Sequence, residues 1–346
     1  MKVCTDEIKM KLNKIILSRT DNIGDVVLAL PMAGIIKKFY PECKIIFLGR
    51  TYTKPVIDSC ENIDEFIDWD VLKEKDGKEK IKFLKSFQAD AIIHVFPNKI
   101  IASLAKKARI PLRIGTSHKL FHLLYCNKLV HFSRRKSNLH EAQLNCKLLS
   151  PLGIKKEFTI QEITDYYGLT RASEVSSEIK KLIDKKKFNV IFHPKSNAHG
   201  REWSLDNFEK TIKLLDKTKF IIFISGTEKE KETLKHWIDG LADTVVDLTG
   251  KLSLSEFIHF ISLADGLVAS GTGPLHLAAA LGKETIGLFP PIRPLHPGRW
   301  GAVGKKTHNL SLKKNCSDCV NNPKKCLCMN IISPDEVAEI LVDVAN

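Results

Sequence analysis

Apolar residues fall along the chain in two alternating rhythms. Short runs rich in Ile, Val and Phe are separated by longer stretches whose apolar positions recur at helical spacing, the pattern of parallel βα units. In the first half, this predicts strands at 15–18, 44–48 and 91–96 and helices at 25–39, 81–87, 99–107 and 138–149. A second series predicts strands at 189–194, 219–226, 266–270 and 285–289, with helices near 205–217, 228–238, 254–263 and 274–281. Between the two series, 155–188 is polar and charged and contains Lys185, Lys186 and Lys187 in a row. Such a segment reads as a linker, so one domain is expected over 1–180 and another over 181–346. Near the end, SPDEVAEILVDVA sets Ser333, Pro334 and Glu336 in the order of a capping box. That predicts a final helix over 334–345, free to pack back on the N-terminal domain.

The fold class is therefore α/β, with two open parallel sheets. Ligands of such sheets bind outside the carboxyl ends of the strands, and two sheets whose carboxyl ends face each other would enclose an interdomain cleft. Chemical motifs should then follow strands directly.

Composition supports this picture. The 346 residues are 43% hydrophobic and 27% charged, enough apolar material for two cores. No apolar run is long enough to cross a membrane, and the charged start MKVCTDEIKMKLNK lacks a signal-peptide core, so a cytoplasmic location is expected. Lys and Arg outnumber Asp and Glu by 54 to 40, a formal charge of +14 that suits an anionic partner. Nucleic acid is disfavoured, because no RNA-binding signature or arginine-rich arm is present. Of the nine cysteines, Cys4, Cys43, Cys60, Cys126 and Cys146 are scattered and read as reduced thiols.

Four stretches carry chemistry. In ASGTGPLHLAAALG (269–282), Gly271, Thr272 and Gly273 turn a strand directly into a helix, with Pro274 and His276 in its first turn. Free backbone N–H groups at such a start bind phosphate, although the turn could also serve packing alone. HPKSNAHGREW (193–203) offers Lys195 and Arg201 as fixed positive charges, or a solvated basic loop, with Ser204 as a helix cap. SGTEKEKE (225–232) places Glu228, and less favourably Glu230, where an acid can accept ribose hydroxyls or simply face the helix dipole. RTDNIGDVVLALP (19–31) puts Asp25 in the first helical turn after the first strand, beside Gly24. The helix dipole would hold it ionised, and an ionised carboxylate in that position can take a proton from a hydroxyl.

Taken together, GDVVLALP, HPKSNAHGREW, SGTEKE and GTGPLHLAAALG, with LGR at 48–50 and RIG at 113–115, resemble glycosyltransferase family 9, the lipopolysaccharide heptosyltransferases. The resemblance implies the GT-B arrangement of two Rossmann-like domains, with acceptor in the N-terminal half and nucleotide sugar in the C-terminal half. It also implies inverting, metal-independent transfer of a heptose from ADP-heptose to the lipopolysaccharide inner core, with no cofactor required. By motif position, Asp25 is the expected base, with Gly24 and Arg113 on the acceptor side. Lys195, Arg201, Glu228, Gly271, Thr272, Gly273 and His276 are expected on the donor side. Many family members carry Asp where this chain has Gly271, so the donor sugar is less tightly implied than the fold.

Arg109, Arg113, Lys119, Arg134 and Arg135 make the first half basic, which suits an acidic, phosphorylated core at the cytoplasmic face of the inner membrane, or plain solvation. CSDCVNNPKKCLC (316–328) holds Cys316, Cys319, Cys326 and Cys328 at spacings that allow either a structural zinc site or free, redox-labile thiols. Asp68-Trp69-Asp70 has the form of a DxD metal motif but reads as a structural surface segment. A nucleotide-sugar epimerase of the same layout and a catalytically silent binding protein are the other readings. A nicotinamide dehydrogenase is disfavoured, because no GxGxxG follows either leading strand.

Overall fold

The computed structural model describes residues 11–171, 175–196, 201–312, 316–321 and 326–346. Cys4, residues 197–200 of the basic loop and residues 322–325 between the cysteine pairs lie outside that set. The chain divides into two compact units, Met1–Gly168 and Leu169–Asn346. The division falls after Gly168, earlier than the 180 expected from the sequence, and the short helix Ser177–Lys180 packs on the helix Leu254–Leu263 of the second unit.

Among the described residues, the first unit carries six strands: β1 (Lys14–Ser18), β2 (Lys44–Gly49), β3 (Glu65–Asp68), β4 (Ala91–His94), β5 (Leu112–Thr116) and β6 (Lys128–Val130). Their order is β3-β2-β1-β4-β5-β6, and every pair is parallel. The second carries β7 (Phe188–His193), β8 (Phe220–Ile224), β9 (Val246–Asp247), β10 (Gly266–Ser270), β11 (Glu284–Leu288) and β12 (Thr307–Leu310). Its order, β12-β11-β10-β7-β8-β9, is likewise parallel throughout. Read from its own first strand, the second sheet repeats the order of the first. That order is the doubly wound, Rossmann-type arrangement, whose direction of winding reverses between the first and fourth strands.

Central strands are buried on both faces, as sheets covered by helices must be. Ile15, Ile16 and Leu17 of β1 and Leu267, Val268 and Ala269 of β10 are fully inside. The helix predicted over 25–39 is two helices, Ile23–Val27 and Leu30–Phe39, broken at Leu28-Ala29. The final helix, Pro334–Ala345, forms as expected, but Ser333 caps it through the Asp335 N–H, without a reciprocal bond from Glu336. It packs on the helix Leu205–Leu214 within the second unit, whereas the sequence had allowed a return to the first. Asp68 caps the turn Trp69–Leu72 through the N–H groups of Asp70 and Val71, and Asp70 binds Thr51 and Lys73. The DxD-like triplet is structural.

Candidate functional site

In the first unit, β1 ends at Ser18 and the next residue, Arg19, is the hub of a buried polar network. Its Nε and Nη2 donate to the two carboxylate oxygens of Asp21 at 2.8 and 3.0 Å, a bidentate fork. Nη2 also donates to Asp25 Oδ1 at 2.6 Å, and Nη1 reaches Asn145 Oδ1 at 3.0 Å and Glu141 Oε1 at 3.3 Å. From the other side, Arg134 donates to Glu141 at 3.0 Å, to Asn145 at 3.1 Å and to the Val95 carbonyl at 3.0 Å. Asn145 in turn donates to the Leu28 carbonyl, which ties the helix Glu141–Lys147 to the end of Ile23–Val27. Tyr52 pins the same loop by donating to the Asp21 carbonyl. All of this lies past the carboxyl ends of β1 and β4, the neighbours at which the winding reverses.

Asp25 is in the first turn of a helix only five residues long. The sequence suggested a dipole-stabilised carboxylate, but burial outweighs that effect. Burial pushes the Asp25 carboxyl up from 3.8 to about 6, helped by Asp21 and Glu141 and opposed by the Arg19 guanidinium. Gly24 precedes it in the same turn. Arg113 is elsewhere. It stands near the start of β5, at the amino edge of the sheet, and its guanidinium donates to the carbonyls of Tyr125 and Ile110. Parallel strands put that edge opposite the Asp25 loop; Arg19 is the basic group bonded to Asp25, and Arg134 joins the same network through Glu141 and Asn145. Sequence reasoning missed Arg19, Glu141 and Asn145, although Arg19 heads the stretch that drew attention to Asp25.

In the second unit, the carboxyl ends of β7 and β10 are the matching neighbours. After β10, Gly271 and Thr272 lead into the helix Gly273–Ala280, with Thr272 as N-cap and Pro274 at its start. The Thr272 hydroxyl is buried and has no partner among the described residues. His276 is buried on the first turn. A side chain at Gly271 would begin 2.8 Å from the Phe289 ring, which also crowds Gly287. The aromatic ring therefore occupies the space that an Asp at 271 would need.

After β7, Lys195 pairs with Glu202 at 2.9 Å, and Glu202 also accepts from the Ser196 N–H at 2.9 Å. Glu202, unforeseen from the sequence, thus closes the basic loop on itself. The Trp203 N–H donates to the Ser270 hydroxyl at 3.2 Å, fixing this loop beside the glycine turn. Ser204 caps the helix Leu205–Leu214, as predicted. Arg201 turns to the cysteines, donating from Nη1 to Cys319 Sγ at 3.0 Å and from Nη2 to the Cys319 carbonyl at 3.1 Å. After β8, Glu230 closes a capping box with Thr227, which leaves Glu228 as the acid with an exposed side chain. The four cysteines 316, 319, 326 and 328 are brought together, with all sulfurs within 4.8 Å of one another. In this unit the Lys195–Glu202 pair, the glycine turn with the start of the helix Gly273–Ala280, and the exposed Glu228 follow β7, β10 and β8, which are neighbours in the sheet.

The sequence model of glycosyltransferase family 9 (heptosyltransferase) matches residues 79–330. A putative glycosyltransferase of Haemophilus influenzae is 28% identical over 300 residues, covering 84% of this chain and 86% of its own length. Lipopolysaccharide heptosyltransferase 3 of Escherichia coli K12 is 24% identical over 285 residues, covering 77% of this chain and 79% of its own. Among solved structures, the E. coli ADP-heptose lipopolysaccharide heptosyltransferase II superposes with a TM-score of 0.73 at 16% identity, over 96% of this chain and 98% of that one.

Proposed function

The chain belongs to glycosyltransferase family 9, and on that premise we propose that it transfers a heptose from ADP-heptose to the inner core of lipopolysaccharide with inversion at the anomeric carbon. Asp25 is the general base. The observation that carries this reading is its carboxyl, pushed up to about 6 by burial and held by Arg19 past the end of β1. A base of that strength is ionised at neutral pH and still basic enough to accept a hydroxyl proton as the bond forms.

In the reaction, the acceptor oxygen attacks the anomeric carbon while its proton passes to Asp25. The bond from that carbon to the diphosphate breaks, and ADP leaves with the electron pair. Lys195 and the start of the helix Gly273–Ala280 offset the charge that grows on ADP, and Glu228 accepts ribose hydroxyls, whereas Arg201, expected beside them from the sequence, is bonded to Cys319. No metal takes part in the transfer step.

The enzyme works peripherally at the cytoplasmic face of the inner membrane, where the acceptor is made. Among the described residues, no helix is long and apolar enough to cross a membrane. The short helix Leu120–Tyr125 supports a surface attachment, because Leu120, Leu123 and Leu124 are exposed and Lys119 and Lys106 flank them.

The test is calorimetry with ADP, UDP and GDP, followed by NMR of the product formed from ADP-heptose and a heptose-free core oligosaccharide. Selective ADP binding and a product of opposite anomeric configuration are expected. Preference for UDP or GDP would keep glycosyl transfer and discard the heptose donor.

A further inference from the structure

We propose that Cys316, Cys319, Cys326 and Cys328 form a tetrahedral four-thiolate site for a thiophilic divalent metal ion, zinc foremost, and that this centre fixes Arg201 and the chain leading into Trp203. The sulfurs form one cluster rather than two pairs. Cys319 lies 3.4 Å from Cys326 and 3.3 Å from Cys328, while Cys326 is also 3.3 Å from Cys316. Four sulfurs at about 2.3 Å from a zinc ion stand about 3.8 Å apart, between the short contacts here and the 4.8 Å within which all four lie, so small side-chain shifts seat the ion. A disulfide would need one pair at about 2.05 Å, and the shared contacts select no pair. The set contains no carboxylate or imidazole, so its softness excludes calcium and magnesium.

The surroundings are those of an anionic centre. A divalent ion with four thiolates carries two negative charges, and such centres are tuned by donors aimed at the sulfurs. Arg201 supplies a cation at 3.0 Å from Cys319 Sγ and 3.8 Å from Cys328 Sγ, and the Cys328 N–H points to Cys326 Sγ at 3.5 Å. Neutral thiols would return little for the water this guanidinium gives up. Cys319 and Cys328 are 3% exposed and belong to the core of the second unit, with Met329, Ile332 and Val337.

The centre also holds the donor loop from behind. The Trp203 indole N–H donates to the Ile332 carbonyl at 3.2 Å, and Asn207 donates to the Asn330 carbonyl at 3.0 Å. The segment that follows the cysteines is therefore bonded to the chain that follows Arg201. An effect on ADP binding rests on the donor role proposed above, whereas metal binding does not.

Elemental analysis of the purified full-length protein, prepared with reductant, should find about one zinc or comparable ion per chain. Replacing it with cobalt should give the absorption of a tetrahedral thiolate complex. Cys319→Ser and Cys328→Ser should lose the ion, and Cys43→Ser should keep it. Arg201→Met should still bind it, but release it to a chelator roughly 10- to 100-fold more readily. In the wild type, thiol titration should show the four cysteines protected until a chelator is added, a readout that does not depend on a variant folding. Absence of stoichiometric metal, with all four thiols reacting freely or found as disulfides by mass spectrometry, would overturn the site. Metal found with unchanged ADP affinity in the apo protein would confirm the site and remove its link to the donor loop.

Discussion

Arg19 and Asp25 share a 2.6 Å hydrogen bond in which the two partners meet water very differently: 3% of the arginine side chain is exposed against 17% of the aspartate. The cation is therefore part of the interior, and the carboxylate stands at its boundary. Oδ1 is held by Arg19, while Oδ2 has no protein partner among the described residues. One oxygen is fixed in direction and the other is available.

The first consequence is a pH dependence. Asp25 must lose its proton to act as base, and burial has moved that loss from 3.8 to about 6. Below that point kcat/KM should fall about tenfold per pH unit, and above it a plateau should follow. Asp25→Asn should lower turnover by at least about a hundredfold, abolish the acid limb and leave ADP affinity within about twofold. A variant that kept the acid limb would show that another group is the base.

Arg19 should matter to stability before it matters to chemistry. Its removal leaves Asp21, Asp25 and Glu141 with a shared charge problem, and breaking such a buried pair costs about 3–5 kcal/mol. Arg19→Met should show that loss in urea unfolding. Arg19→Lys should recover part of it but not the two-pronged bond to Asp21, because an ammonium has no planar fork. Its pH–rate limb should move upward, as a weaker cation holds Asp25 less firmly ionised.

Gly271 and Phe289 should be coupled. Gly271→Asp alone should cost about 1–3 kcal/mol, since the ring stands 2.8 Å from the new Cβ. Phe289→Leu should relieve most of that penalty in the double variant, so the two effects should not add in a denaturation cycle. Additive losses would mean that the ring is not what closes the position.

The exposed leucines should act only where there is lipid. Leu123→Glu with Leu124→Glu should abolish co-sedimentation with anionic vesicles, since each leucine gives up about 1.5–3 kcal/mol of burial. Transfer to a water-soluble acceptor should be unchanged. Equal vesicle binding by the variant would send the membrane contact elsewhere.

The chain displays its central strands openly and conceals its edges. β1, β2, β4, β7, β8, β10 and β11 show as runs of Ile, Val, Leu and Phe, because a parallel strand covered on both faces has no polar side to interrupt the run. β3, β6, β9 and β12 are the outer strands of the two sheets, and EFID, KLV, VD and THNL are too short and polar to stand out. β5 went unseen because Arg113 and Gly115 interrupt its apolar run. Asp25, Lys195 and the glycine turn were legible, since each directly follows a predicted strand. The partners of Arg19 were not, because Glu141 and Asn145 lie 122 and 126 residues away in sequence. No local pattern encodes a contact at that distance.

The final helix bears on how the protein is made. Val337, Ala338 and Leu341 belong to the same core as Val190, Phe192 and Phe208, residues translated long before them. While the ribosome is still reading the codons for 337–341, the second unit lacks one side of its interior and exposes apolar surface. The first unit, whose strands all precede residue 131, has by then left the exit tunnel and can close. Nascent chains stalled just short of residue 337 would be half folded, with one finished unit tethered to one that chaperones still have to shield.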